Sequence, residues 1–212
     1  MSRWLHVVAV HGARGAGQDR AVVVDLGDAL TIALADGAGG TGGGDLAAQA
    51  IVDAAVAGAP TRPAWADVLA DLDRDPRHLG HGQATAVLLT ITARGLVGAS
   101  VGDSAAWLID GDAVVELTAD QRRKPLVGAG AAVVAFAAGP LAGATLLVAS
   151  DGLVNYAPRR AIAALARLPD LAAAARQLVD LVRLPTGALP DDTSLVLCRA
   201  ADAGADAGAG DQ

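Results

Sequence analysis

Thr31-Ile-Ala-Leu-Ala-Asp36-Gly37-Ala-Gly-Gly40 runs five residues rich in β-branched and small apolar types into a single carboxylate and then into glycine. The apolar run reads as a buried strand, Asp36 stands where it stops, and Gly37 gives the chain freedom to turn sharply. The same grammar occurs twice more. Leu146-Leu-Val-Ala-Ser-Asp151-Gly152 carries a strand into Asp-Gly, and Ala99-Ser-Val-Gly-Asp103-Ser104 carries one into Gly-Asp-Ser. Three strands therefore deliver three aspartates to strand ends.

Working outward, residues 3–10 read as a first strand and Arg20–Asp25 as a second, with a Gly-rich connection that holds Arg14, Gln18 and Asp19. Together with the strand ending at Asp36 they suggest an antiparallel meander. Asp45 to Gly58 has helical spacing with an acidic start and a glycine stop, and a second helix follows Pro63 to about Leu72. Gln83–Thr92, Leu96–Val101, Ala105–Ile109 and Ala113–Leu117 read as four strands joined by short turns, again a meander rather than βαβ units. Residues 119–143 are rich in Gly and Ala and carry no clear period. Thr145–Ala149 is a strand, Arg159–Arg167 and Leu171–Leu184 are helices, and Thr193–Cys198 is a closing strand. Residues 200–212, all Ala, Gly, Asp and Gln, form a low-complexity tail expected to be disordered. Strands and helices come in blocks, which favours an α+β arrangement of antiparallel sheets flanked by helices.

The chain has 212 residues, 53% of them hydrophobic but only 2% aromatic, so Ala, Val and Leu must fill the core. One domain over 1–199 suits that length. A net charge of −7 offers no basic stripe to neutralise phosphates, which argues against nucleic acid or an anionic membrane as partner. The single cysteine, Cys198, excludes an internal disulfide and suits a reducing compartment. No signal-like leader or membrane-length apolar run is evident, so the expected location is cytoplasmic.

Asp19, Asp36, Asp103, Asp151, Asp191 and Asp192 all lie beside glycine or at strand ends. Carboxylates gathered in space repel one another unless a cation joins them, and all-oxygen ligands select Mg²⁺, Mn²⁺ or Ca²⁺. Any one Asp-Gly alone is an ordinary turn. Recurrence after buried strands is what points to a site.

These residues resemble the metal-dependent type 2C (PPM/PP2C-like) serine/threonine protein phosphatases, in particular their short bacterial members. Arg14 with Gln18-Asp19 is similar to the family's opening motif, and Asp36-Gly37-Ala38-Gly39-Gly40 to its Asp-Gly-x-Gly-Gly. Gly82–Ala86 resembles its Gly-Ser/Ala-Thr-Ala, Val101-Gly-Asp103-Ser104 its Val-Gly-Asp-Ser, and Leu117-Thr-Ala-Asp120 its Leu-Thr-x-Asp. Ser150-Asp151-Gly152-Leu153 resembles its Ser-Asp-Gly-Leu, and Asp191-Asp192-Thr-Ser its terminal motif. Seven weak motifs in order, from Arg14 to Cys198, make a strong one.

The resemblance implies a four-layer αββα sandwich and a monomeric phosphoprotein phosphatase opposing a Ser/Thr kinase. It implies two Mn²⁺ or Mg²⁺ ions bridged by Asp36. Asp151 and Asp191 would complete the first ion's shell, and the Gly37 carbonyl would bind the second. Asp19 would orient a metal-bound water, Asp103 would belong to a third, weaker site, and Arg14 would hold the substrate phosphate. Such a pair of ions activates a bridging water, and a guanidinium suits phosphate by bidentate geometry.

The chain departs from the family pattern at Gly17 and Gln18, and at Ala38, where some members carry a histidine proposed as general acid. The 119–143 segment leaves little room for the flap of bacterial relatives. A phosphatase-like binding module that uses metals for recognition is the rival from another class. A dinucleotide fingerprint at Gly37–Gly42 is disfavoured by the carboxylate just before it. Cys198 lacks the arginine of a cysteine phosphatase and reads as core packing, His78 and His81 as a solvated loop, and Arg122-Arg123-Lys124 as a solvated face that could dock an acidic partner.

Overall fold

The computed structural model describes residues 2–39, 42–80 and 82–201. The strongest strands are those with no polar face. Ala86–Thr92 (β4), Thr145–Ala149 (β9) and Thr193–Ala200 (β10) are buried almost throughout, as is Ala29–Ala35 (β3). A strand buried on both faces must lie between two layers, and successive side chains then enter different cores. Along β9, Leu147 and Ala149 face one core while Leu146 and Val148 face another; along β4, Ala86 and Leu88 alternate with Val87, Leu89 and Ile91.

Among the described residues ten strands form two antiparallel sheets. One has the order β1-β10-β9-β6-β7, with β1 (Trp4–His11), β6 (Ala105–Asp110) and β7 (Ala113–Glu116). The other is β2-β3-β4-β5-β8, with β2 (Arg20–Asp25), β5 (Gly95–Val101) and β8 (Val134–Ala138). Leu30, Ile32, Leu34, Val87 and Leu89 of one sheet meet Leu146, Val148, Val196 and Cys198 of the other in the middle core. Helices α1 (Gly44–Gly58) and α2 (Trp65–Arg74) cover the β2–β8 sheet through Ile51, Trp65 and Leu69. On the β1–β7 sheet lie α3 (Asp151–Val154), α4 (Arg159–Ala166) and α5 (Leu171–Leu181), through Leu153, Ile162 and Leu178. The result is the expected αββα sandwich. Each fully buried Leu or Ile stabilises it by about 1.5–3 kcal/mol of transfer free energy.

Two expectations need correction. Neither meander exists. β2 and β3 form a hairpin, but β1 pairs with β10 in the other sheet, register Val7 to Leu197. The four-strand run is likewise cut: β4 pairs with β5, β6 with β7, and Val101-Gly102-Asp103-Ser104 carries the chain between the sheets. Gly102 has φ +88, and a Cβ there would press on the Thr85 side chain, so the crossing needs glycine. Local alternation shows that a strand is half or fully buried, not which sheet supplies its neighbour.

The segment 119–143 is not irregular throughout. It contains β8, an edge strand paired to β5 at Gly98–Phe136. Three of its five residues are alanine, which blunts any periodic signal. Helix α3 was not expected from the sequence; the other helices and strands agree with expectation to within a few residues, and the helix expected to reach Leu184 stops at Leu181. The tail lies outside the described residues from position 202, and β10 runs on to Ala200. Cys198 sits in the middle core with its thiol pushed up to about 12 by burial, as a packing residue would. No helix among the described residues is long and apolar enough to cross a membrane.

Candidate active site

The two sheets bring their loops together at one end. Asp36 follows β3, Asp151 opens α3 after β9, Asp103 follows β5, Asp191 precedes β10, and Asp19 precedes β2. A cleft of about 720 Å³ is lined by Arg14, Gln18, Asp36, Gly37, Asp151 and Asp191, among others. A second cleft of about 550 Å³ shares Asp36 and Asp151 with the first and adds Asp103, Arg123 and Lys124. Thus Arg14, Asp36, Gly37, Asp151 and Asp191 share one cavity, Asp19 is buried behind it, and Asp103 faces the neighbouring one.

Backbone contacts hold this arrangement. The Asp36 N–H donates to Thr85 Oγ1 (3.0 Å), and the Thr85 N–H donates to the Asp36 carbonyl (2.8 Å). Thr85 Oγ1 also shares a hydrogen bond with Ser104 Oγ at 2.6 Å, so the Asp36 loop is tied to the Asp103 crossing. The glycines of the Asp-Gly pairs serve close approach rather than a left-handed turn. A Cβ at Gly37 would run into the Gly44 carbonyl, and one at Gly152 into the Asp192 carbonyl. Only hydrogen fits between those backbones.

Electrostatics set the cluster apart. Asp36 is pushed up to about 9, first by burial and then by the charges of Asp19, Asp151 and Asp191. Asp19 is 1% exposed and is pushed up to about 6, again mainly by burial, with the Ser150 and Ser194 hydroxyls and Asp36 holding it lower than burial alone would. Yet neither hydroxyl reaches hydrogen-bond geometry with it, and both Asp19 carboxylate oxygens are buried without a partner. Asp151 is raised by burial and by Asp103 and Asp191, with Arg123 opposing, and accepts a hydrogen bond from the Asn155 amide at 3.1 Å. Asp191 is exposed, and its Oδ1 accepts from the Asp192 N–H at 2.9 Å. Asp103 Oδ2 accepts from Arg123 Nε at 2.7 Å.

Buried, unpartnered carboxylate oxygens beside other carboxylates are costly, and a cation is the partner that such a donor set fits. Among the described residues no group of three or more Asp, Glu, His or Cys side chains is gathered closely enough to hold one ion by itself. An open, all-oxygen set is what Mg²⁺ or Mn²⁺ accepts, since such ions keep several waters and use few carboxylates. Arg14 lines the same cleft, is exposed, and its side chain has no ion pair or hydrogen bond among the described residues.

Sequence reasoning gave no role to Asp192. Its Oδ1 accepts from the Ala13 N–H (2.7 Å) and its Oδ2 from the Gln18 N–H (2.5 Å), so it clamps both ends of the loop that presents Arg14. The doublet Asp191-Asp192 was the available signal, and both of its residues line the cleft. Thr85 and Ser104 stood in motifs quoted from the sequence but were given no role, and Arg123, read there as part of a solvated face, instead pairs with Asp103. Gly40 and His81 lie outside the described residues. The dinucleotide reading ends here, since β3 lies between antiparallel neighbours and opens no βαβ unit.

Solved structures share this architecture over nearly the full length. The catalytic domain of the serine/threonine protein phosphatase PstP, in complex with two manganese ions, matches with TM-score 0.74 and 19% identity over 94% of this chain and 99% of its own. Serine/threonine phosphatase Stp1 from Staphylococcus aureus matches with TM-score 0.73 and 18% identity over 95% and 96%. PppA, a regulatory component of T6SS in Pseudomonas aeruginosa, matches with TM-score 0.69 and 21% identity over 94% and 99%. No family model and no curated protein matches the chain. The fold of this chain is that of the bacterial type 2C serine/threonine protein phosphatases.

Proposed function

We propose that the chain is a Mn²⁺- or Mg²⁺-dependent phosphoprotein phosphatase that hydrolyses phosphoserine and phosphothreonine. The observation that carries this reading is the group of carboxylates around Asp36, in a cleft that also holds Arg14, with two Asp19 oxygens and the Arg14 side chain lacking a partner among the described residues. Asp36, Asp151 and Asp191, with the Gly37 carbonyl, would hold two ions. Bound there, divalent cations supply a water acidic enough to attack phosphorus near neutral pH and offset charge on the phosphoryl oxygens.

The chain's own groups do the rest. Arg14 offers two parallel N–H donors to a phosphate entering the cleft. Asp19, pushed up to about 6, is suited to hold or accept a proton near neutral pH. Ala38 lines the cleft and offers no proton to the leaving serine oxygen, so that proton comes from solvent or from the attacking water. The products are inorganic phosphate and the free hydroxyl, with water consumed.

Hydrolysis of p-nitrophenyl phosphate and of a phosphoserine peptide, measured in EDTA and after adding Mn²⁺, tests the reading. Activity absent in EDTA and restored by Mn²⁺ is expected; turnover that survives chelation would refute it. A protein that binds Mn²⁺ but turns over neither substrate would instead be the binding module.

A further inference from the structure

Arg123 lies on the connection between β7 and β8, and that connection is pinned on both sides of it. Before it, Gln121 Oε1 accepts from the Ser100 hydroxyl at 2.9 Å and the Gln121 amide donates to the Ala132 carbonyl at 3.1 Å. After it, Leu126 and Val127 are buried, and Val127 and Ala84 exchange both backbone hydrogen bonds, at 3.1 and 3.3 Å. Asp73 of α2 then accepts from the N–H groups of Gly128 (2.7 Å), Gly130 (3.1 Å) and Ala131 (2.9 Å). The Arg123 backbone is thereby fixed beside the Asp103 crossing. Its Nε reaches Asp103 Oδ2 at 2.7 Å across the second cleft, which Asp36 and Asp151 also line.

We propose that Arg123 is a built-in cationic cap on Asp103, which occupies the carboxylate that a third divalent ion would need and so limits the chain to two ions. The proposal rests on the metal-dependent reading above. A guanidinium on the ligand oxygen both blocks it and repels a dication, so entry of a third ion requires the pair to open. The Arg123 side chain is 74% exposed and Asp103 22%. The pair is therefore held by solvent-screened attraction and can swing open without disturbing the core. The pinned backbone keeps the guanidinium close enough to return.

Equilibrium dialysis with Mn²⁺, without substrate, on the wild type, Arg123→Ala, Asp103→Ala and the double variant tests the cap. The wild type should take up two ions. Arg123→Ala should take up a third, at least roughly fivefold tighter than any third ion in the wild type, the factor expected for releasing an exposed pair. Asp103→Ala and the double variant should return to two. The cap is refuted if Arg123→Ala titrates like the wild type, if the wild type already takes up three ions equally well, or if the third ion persists in the double variant. A wild type that binds two ions beside an unchanged Arg123→Ala removes the cap alone. A wild type that binds none removes the metal-dependent reading and the cap with it.

Discussion

Replacing Asp36 by Asn separates the stability of the site from its function. In the metal-free protein Asp36 is pushed from 3.8 to about 9. A carboxyl whose folded-state value is raised contributes stability that is fully present below about pH 4 and is lost as pH rises toward 9, because the unfolded chain releases the proton first. At pH 7 the loss is about 4 kcal/mol, from roughly three pH units at ~1.36 kcal/mol each. The cleft is open, so water and small shifts of Asp19 and Asp151 recover part of it. We expect Asp36→Asn to stabilise the metal-free protein by about 2 kcal/mol at pH 7, or ~4–8 °C in Tm for a chain of this size. The gain should shrink toward pH 4, where the wild-type carboxyl is protonated in both states. Scanning calorimetry in EDTA at pH 4, 5.5 and 7 measures it. Mn²⁺ should raise Tm of the wild type and scarcely that of the variant, and phosphatase activity should fall by orders of magnitude. A metal-free variant that melts below the wild type at pH 7, or a gain that does not depend on pH, would refute the clustered-carboxylate reasoning.

Two further outcomes follow from particular contacts. Arg14→Ala should raise KM for p-nitrophenyl phosphate and leave the calorimetric Mn²⁺ affinity within about twofold, since a group that contacts substrate and no ion is not linked to metal binding; a collapse of metal affinity would place Arg14 elsewhere. Asp192→Ala removes two charge-assisted bonds to the Ala13 and Gln18 N–H groups; it should cost about 2 kcal/mol, ~4–8 °C in Tm, and raise KM by freeing the loop that carries Arg14, whereas an unchanged Tm would show that the loop is held by other contacts.

Much of the architecture was legible because it is written locally. A run such as Leu146–Ala149 is apolar at every position, which demands burial on both faces, and an Asp at its end has nowhere to go but the loop region. The same run cannot name its neighbours. Trp4–His11 pairs with a strand almost two hundred residues away, and the choice between that partner and Arg20–Asp25 is made by which pairing closes the middle core. β8 was missed because alanine carries little periodic signal, and its strand state is imposed by the free edge of β5.

For the site, the sequence by itself determined its chemical type: aspartates at strand ends, glycines beside them and an arginine ahead of them are properties of neighbouring residues. Tertiary structure alone decided three things. It made Gly37 and Gly152 obligatory through backbones that approach from α1 and from the Asp191-Asp192 segment. It turned Asp192, which also lines the cleft, into a clamp on the Arg14 loop. It set Arg123 on Asp103, twenty residues away along the chain. Hydrogen bonds and charge coupling depend on distances of a few ångströms between segments remote in sequence, and those distances exist only once the two sheets have closed on their common core.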